Sequence, residues 1–283
     1  MSEPASPGTN RRSRSRDLAL ITGASAGLGA AFARAYAARG FDVALVARRA
    51  ERLEALAAEL QGARGVEAIA IPADLARFEA HEPVMAALDA RGRHVDVLVN
   101  NAGFGIAQSF AGVPWSRQRE FLMTMVVTPC ALCRAVIPGM VERGRGAIVN
   151  ISSLAAFSPG VAGHSLYPGA KTLLLKFSQS LEAEYGAKGI RVTAVCPGTT
   201  DSEFSRVAGT DAVTGADRWR FTQTAESVVE IAIRANAAGR LVVVPGLRNK
   251  LAAVAMQVLP GPLVRAIIAA GSARYHLEDE PSA

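Results

Sequence analysis

Tyr167 and Lys171 stand four residues apart in "SLYPGAKTLLLKF" (165–177), at the mouth of an apolar run. At helical spacing both side chains share one face, so a phenol and an ammonium can converge. A tyrosine with an ordinary pKa of about 10 is a poor base at neutral pH. A nearby positive charge favours the phenolate and would let Tyr167 exchange a proton with a substrate oxygen. Pro168 does not object, because a proline in the first turn of a helix loses no hydrogen bond. The same pair is ordinary on a solvated helix, so its meaning depends on what the rest of the chain builds around it.

Strand-like and helix-like patterns alternate nearly throughout the 283 residues. Apolar runs bounded by turn residues fall at 18–22, 43–47, 68–71, 95–99, 147–151, 192–195 and 241–244, with Ala/Leu/Glu/Arg segments of helical spacing between them. Continuous rather than alternating apolar strands predict an α/β fold, a Rossmann-type doubly wound sheet of about seven parallel strands with helices on both faces. Ligands of that architecture bind beyond the carboxyl ends of the strands, so the residues just past each strand are the informative ones. The first strand leads into "TGASAGLG" (22–29), where Gly23, Gly27 and Gly29 permit a tight turn and close approach to a phosphate, and the next helix offers free N–H groups. After the second comes "ARR" (47–49), with Ala47 and Arg48 where an NAD site usually carries a carboxylate. A guanidinium at Arg48 can pair with a 2′-phosphate, which points to NADP(H) over NAD(H); Arg49 reads as a solvated residue at a helix start. Asp74 and Leu75 come after the third strand, with Asp74 suited to capping the next helix or to a hydrogen bond near an adenine. "NNAGFG" (100–105) comes after the fourth and offers compact backbone through Asn101, Ala102 and Gly103.

Composition bounds the remaining function classes. Half the residues are hydrophobic, a fifth are charged and the net charge is +6, but four arginines are concentrated in "RRSRSR" (11–16). Residues 1–16 read as a disordered basic tail, 17–246 as a Rossmann-type catalytic domain and 247–283 as a helical extension of the same domain. One basic tail with no basic face elsewhere does not make a nucleic-acid-binding protein. The twin arginine is followed by "LALITGASAGLGAAF", too rich in turn residues for an export signal, so a cytoplasmic protein is expected. No run reaches the ~18 uninterrupted apolar residues of a spanning helix. Cys130 and Cys133 have redox or metal spacing, but no second pair or nearby histidine completes a site; packing is the reading, with no metal and no disulfide framework.

Taken together, "TGASAGLG", "NNAG", "ISS" (151–153), "YPGAK" (167–171) and "CPGTT" (196–200), in that order, resemble the short-chain dehydrogenase/reductase family in its short, single-domain form. The resemblance covers about residues 17–245. It implies an NADP(H)-dependent oxidoreductase acting on a small apolar carbonyl compound or alcohol, a 3-oxoacyl chain being one candidate, in a homodimer or homotetramer. Carried over residue by residue, it implies Tyr167 as the acid/base, Lys171 as its partner and as a holder of the nicotinamide ribose, and Ser153 on the substrate oxygen. For the cofactor it implies Gly23, Ser25, Gly27, Leu28, Gly29, Arg48, Asp74, Leu75, Asn101, Ala102, Gly103, Tyr167, Lys171, Pro197, Gly198, Thr199 and Thr200.

Three departures qualify the match. Met125 stands where the family usually carries a catalytic asparagine, Ser153 precedes Tyr167 by fourteen residues rather than thirteen with Ser152 as the fallback, and Ala170 replaces a frequent serine. Met125 leaves open a rival reading, an NADP(H)-binding protein that has lost catalysis. The segment 201–221 has the length of a cover over the substrate, and Phe104, Phe157, His164, Phe204 and Trp219 fall near the expected mouth, His164 as a solvated loop residue. Residues 247–270 form two apolar helical segments around a Pro-Gly-Pro break, expected to pack on the chain itself or on a second copy, with peripheral membrane contact as the alternative.

Overall fold

The computed structural model describes residues 16–160, 162–163, 165–200 and 222–272. Residues 1–15 of the expected tail, the expected cover at 201–221 with Phe204 and Trp219, and His164 lie outside the described residues. Arg16 belongs to the folded domain rather than the tail: its guanidinium donates to the Gly65 carbonyl, and its own carbonyl accepts from Arg93 Nη2 at 2.9 Å.

Seven parallel strands form one sheet in the order β3-β2-β1-β4-β5-β6-β7. They are β1 Leu18–Thr22, β2 Asp42–Ala47, β3 Ala68–Pro72, β4 Val97–Asn100, β5 Gly146–Ile151, β6 Ile190–Val195 and β7 Val242–Val243. Successive side chains of a strand point to opposite faces. Ala19 and Ile21 accordingly enter one core with Phe32, Leu53 and Val228, while Leu18 and Leu20 enter the other with Leu88, Leu132 and Met140. Both faces are buried by helices, which is why the strands read as unbroken apolar runs. The order reverses between β1 and β4, so the loops leaving those two strands flank a crevice at the carboxyl edge of the sheet.

The connecting helices are α1 Gly27–Ala37, α2 Ala50–Arg64, α3 His81–Asp89, α4 Trp115–Leu122, α5 Thr128–Glu142, α6 Tyr167–Tyr185 and α7 Ala225–Ala237. A final pair comes after them, α8 Leu247–Val258 and α9 Gly261–Ser272. Helices α4 and α5 are one run of 28 residues joined by a π turn, Met123–Val127. Pro129 explains that turn. It stands four residues after Met125 and has no N–H to give the Met125 carbonyl, and its ring crowds the preceding turn, so the helix widens there. By length and composition this run could cross a membrane, although polar and charged residues interrupt its apolar stretches. It serves instead as a core helix, with Leu132, Cys133, Val136, Ile137 and Met140 buried against the sheet.

The last two helices carry an exposed apolar stripe. Leu247, Leu251, Val254 and Val258 recur at helical spacing along α8, and Leu263 and Ile267 continue on α9. Arg248, Lys250 and Arg265 flank it, and no acidic residue occurs from 247 to 272.

Candidate active site

The site assembles where β1, β4, β5 and β6 end. The loop after β1 turns at Gly23, whose φ is +69°, a left-handed value that favours glycine. A Cβ on Gly23 would lie 2.8 Å from Asn101 Nδ2 and 2.9 Å from Ala102 Cα, and one on Gly29 would strike the Gly23 carbonyl oxygen. The ends of β1 and β4 and the start of α1 are thus drawn together with no room for side chains. Thr22 pins them: its hydroxyl accepts from the backbone N–H of Asn101 (2.9 Å) and Ala102 (3.0 Å) and donates to the Val99 carbonyl (3.2 Å). The Asn101 side chain donates to the Thr22 carbonyl at 2.9 Å, so it braces the loop and leaves the backbone to face the crevice. Neither role of Thr22 is visible in the sequence, where it reads as the last residue of a strand. Helix α1 starts at Gly27 with Ala26 as its N-cap and no side chain capping it, so its first N–H groups and positive end are open towards the crevice. Leu28 packs on the core beneath.

Arg48 is exposed just past β2, as the sequence predicts. Arg49 is exposed at the start of α2, in keeping with the sequence reading, and its Nε and Nη2 also donate to Ser25 Oγ at 3.2 and 2.9 Å, so its guanidinium reaches back to the glycine loop. Asp74 is exposed and accepts from the Ala76 N–H at 3.2 Å, a turn-capping use of one carboxylate oxygen. Leu75 is buried in the core, and its carbonyl accepts from Thr128 Oγ1 at 2.8 Å; only its backbone can serve a ligand.

On the other side of the crevice, α6 begins at Tyr167 with Pro168 in its first turn. Tyr167 is part-buried in a cluster with Phe104, Phe121, Met125 and Ala170. Its ring lies 6.5 Å from that of Phe121, which meets Phe104 edge-on at 5.6 Å; Arg117 covers Phe104 at 4.0 Å. The extra residue between Ser153 and Tyr167 is absorbed in the loop, because Ser153 hydrogen-bonds the Tyr167 side chain. Ser152 is turned away, buried and donating to the Lys171 carbonyl at 2.7 Å. Ser153 also accepts from the Ala155 N–H at 3.1 Å, a cap that fixes its rotamer.

Lys171 is 4% exposed, donates from Nζ to the Ile151 carbonyl at 2.8 Å, and places that ammonium 5.6 Å from the centre of the Tyr167 ring. Burial lowers its pKa to about 8. Burial also raises the pKa of Tyr167, opposed only in part by the Ser153 hydrogen bond. In the chain alone burial prevails at Tyr167, because removing both groups from water costs each its charged form. Met125 is fully buried, and a Cβ on Gly103 would strike its sulfur. The thioether therefore fills space under the "NNAG" turn rather than facing the crevice.

The loop after β6 completes the rim. The Pro197 carbonyl accepts from the Leu154 N–H at 2.8 Å, which ties it to the Ser153 turn. Thr200 bridges to Gln223, the Thr199 carbonyl accepts from the Gln223 N–H at 3.1 Å, and Thr200 Oγ1 donates to the Gly198 carbonyl at 3.3 Å. Asn249 of α8 backs this rim: it donates to Gln223 Oε1 at 3.1 Å, and a Cβ on Gly198 would meet its Oδ1 at 2.6 Å. Phe157 is partly buried and packs with Ala156, Leu175 and Cys196. Among the described residues no group of three or more His, Cys, Asp or Glu could hold a metal. Cys133 is fully buried, with its Sγ 3.3 Å from Asn100 Nδ2, and burial raises its pKa.

Comparison with known proteins adds four findings. An uncharacterized oxidoreductase of Myxococcus xanthus is 41% identical over 66% of this chain and 73% of its own length. A very-long-chain 3-oxoacyl-CoA reductase of Anas platyrhynchos is 36% identical over 67% of this chain, which spans only 62% of that protein. Among solved structures, a short-chain dehydrogenase of Sphingobium yanoikuyae in complex with NADPH superposes with a TM-score of 0.73 at 31% identity, covering 94% of this chain and 98% of that one. The family model for short chain dehydrogenase matches residues 17–212, and with glycine turn, "NNAG", serine, tyrosine and lysine all gathered at one sheet edge the chain belongs to that family.

Proposed function

We propose that this protein is an NADP(H)-dependent reductase of apolar carbonyl compounds, reversible as an alcohol dehydrogenase, in which Tyr167 exchanges the proton, Ser153 holds the substrate oxygen and Lys171 anchors the cofactor beside them. The observation that carries the reading is Ser153 beside Tyr167 with the Lys171 ammonium 5.6 Å from the phenol ring, at the open edge of the sheet. The residues fit the cofactor on three further counts: a turn that admits no side chain at Gly23 or Gly29, an uncapped α1 N-terminus for the pyrophosphate, and two guanidiniums past β2 for the 2′-phosphate.

NADPH, when bound, supplies the hydride. The chain's own part is the proton. Burial raises the pKa of Tyr167 in the cofactor-free chain, which suits the phenol to giving a proton to a carbonyl oxygen. Ser153, its rotamer fixed by the Ala155 N–H, donates to the same oxygen as charge builds on it. Met125 does not forbid a path from Lys171 to solvent. Its backbone carbonyl, deprived of an α-helical donor by Pro129 within the π turn, is the group at this position that could hold a water in place of an asparagine side chain. The apolar wall of Phe104, Phe121 and Leu166 beside Tyr167 suits a hydrocarbon group on the carbonyl, and the relative acting on very-long-chain 3-oxoacyl-CoA lends support to such a substrate.

A panel of hydrophobic ketones and 3-oxoacyl thioesters, followed by NADPH absorbance, is expected to give turnover. Tight NADPH binding without turnover of any member would favour a cofactor-binding protein that has lost catalysis. For the cofactor, Arg48→Asp is expected to weaken NADPH by more than about tenfold (~1.4 kcal/mol) while NADH binding is unchanged or improved. Arg49→Ala, which removes the second guanidinium and its hold on Ser25, is expected to act in the same direction. Titration by fluorescence checks both, and equal affinity of the unmutated protein for the two cofactors would count against the assignment.

The exposed stripe on α8 and α9 is proposed as the contact between copies in a homodimer or homotetramer, since apolar side chains recurring along two turns or more are covered in most assemblies. Light scattering is expected to give a multiple of the chain mass that Leu251→Asp reduces. A monomer that floats with lipid vesicles only when 247–283 is present would assign the stripe to a membrane surface instead.

A further inference from the structure

Beside Tyr167 lies a small, half-open pocket whose wall includes Ile106, Val113, Phe121 and Leu166. One polar side chain in that wall is built unlike its neighbours. Gln118, only 4% exposed, donates from Nε2 to the carbonyls of Phe110 (2.7 Å) and Val113 (3.0 Å). Two carbonyl oxygens can only accept, so they fix the amide with its nitrogen towards them and its oxygen the other way. That oxygen, Gln118 Oε1, is buried with no hydrogen-bond partner among the described residues. A buried acceptor left unmatched costs about 1–3 kcal/mol, which a protein retains where something else fills the position. Gln118 precedes Phe121 by three residues on α4, one helical turn or ~5 Å along its axis.

We infer that Gln118 is a specificity-determining residue that reads a hydrogen-bond donor, a hydroxyl or amide N–H, carried by the substrate on the far side of its apolar segment from the carbonyl. The inference rests on the carbonyl-reductase reading of the same site and deepens it. The pocket then prefers a carbonyl compound with hydrocarbon next to the reacting carbon and one donor beyond it. An apolar end group would leave Oε1 desolvated and unpaired, whereas a donor that reaches it satisfies it.

The test compares straight-chain ketones with the same ketones bearing a terminal hydroxyl, over several chain lengths, in the unmutated protein and in Gln118→Met. For the best-fitting length, kcat/KM of the unmutated protein is expected to be about tenfold to a hundredfold higher with the hydroxyl, matching ~1–3 kcal/mol. Gln118→Met is expected to bring that ratio to about one while keeping kcat on the plain ketone within a few fold. A ratio near one at every length in the unmutated protein, or an unchanged ratio in the variant, would overturn the inference. Equal losses on both substrates would assign Gln118 to holding the 110–113 backbone and overturn it too. Should neither substrate be turned over, the reductase reading fails, and thermal shifts decide the inference separately: with NADP⁺ present, a diol must stabilise the unmutated protein more than the matching alcohol, and the two equally in Gln118→Met.

Discussion

Tyr167→Phe is expected to lower kcat for carbonyl reduction by about a thousandfold, within the range general acid catalysis contributes, while NADPH affinity changes less than about twofold. The substitution deletes one oxygen. The ring remains to pack on Phe121 and Ala170, so the wall of the site persists, and the lost hydrogen bond to Ser153 costs ~1 kcal/mol of stability. What disappears is the group proposed to give the proton. Ser153 cannot replace it, since a hydroxyl that donates to a developing oxyanion steadies charge without neutralising it. Steady-state rates with NADPH, beside a separate titration of NADPH binding, check this. A variant that keeps more than about a tenth of the rate would remove Tyr167 from the proton step and with it the assignment of the site.

The parts of this site that were legible in the sequence are those written in backbone and spacing. Gly23 and Gly29 announce a turn without side chains, and Tyr167 with Lys171 announces a shared helix face, because both arise from local geometry alone. The parallel sheet was legible for a similar reason: burial on both faces leaves no polar alternation in strands such as β1 and β2. What was hidden depends on distant partners. Arg49 looks like any arginine at a helix start until the loop from β1 brings Ser25 within 2.9 Å of it. Gln118 looks like a surface residue of a short polar helix until the 110–113 backbone folds over it and buries it. The widened turn at Met123–Val127 needs only Pro129, so it is written locally; at Met125 it is the carbonyl, not the side chain, that the proline alters. Electrostatics was the least accessible part. Charge proximity in sequence suggested that Lys171 acidifies Tyr167, whereas the fold buries both and burial dominates.

That same burial makes Lys171 the most testable residue of the site. An ordinary lysine loses its proton at 10.5, and in this fold the value falls to about 8. Below about pH 8 the amine is charged in both folded and unfolded chains, and the folded chain bears the whole desolvation cost. Between about 8 and 10.5 the unfolded chain holds more protons than the folded one, so stability of the cofactor-free protein rises with pH. Above that window both forms are neutral and the cost is gone. At ~1.4 kcal/mol per pH unit the rise attributable to this one group is about 3 kcal/mol. Lys171→Met should lack it. The informative quantity is the difference in unfolding free energy between the unmutated protein and the variant, measured in urea from pH 7.5 to 10.5 in buffers common to both, because Tyr167 and the cysteines titrate in each. Curves that run parallel would mean the amine is not held charged against its environment. Saturating NADPH should shift the rise to higher pH, since hydroxyl acceptors reaching the ammonium restore its charged form. In the same variant kcat should fall at least about a hundredfold and NADPH should bind more weakly, the pairing of effects expected of a group that positions the cofactor rather than one that merely fills space. An amine that lowers the stability of the empty protein and recovers it on binding is how a fold stores part of its cofactor affinity in a destabilised site, and Lys171 is the residue in which that exchange can be weighed.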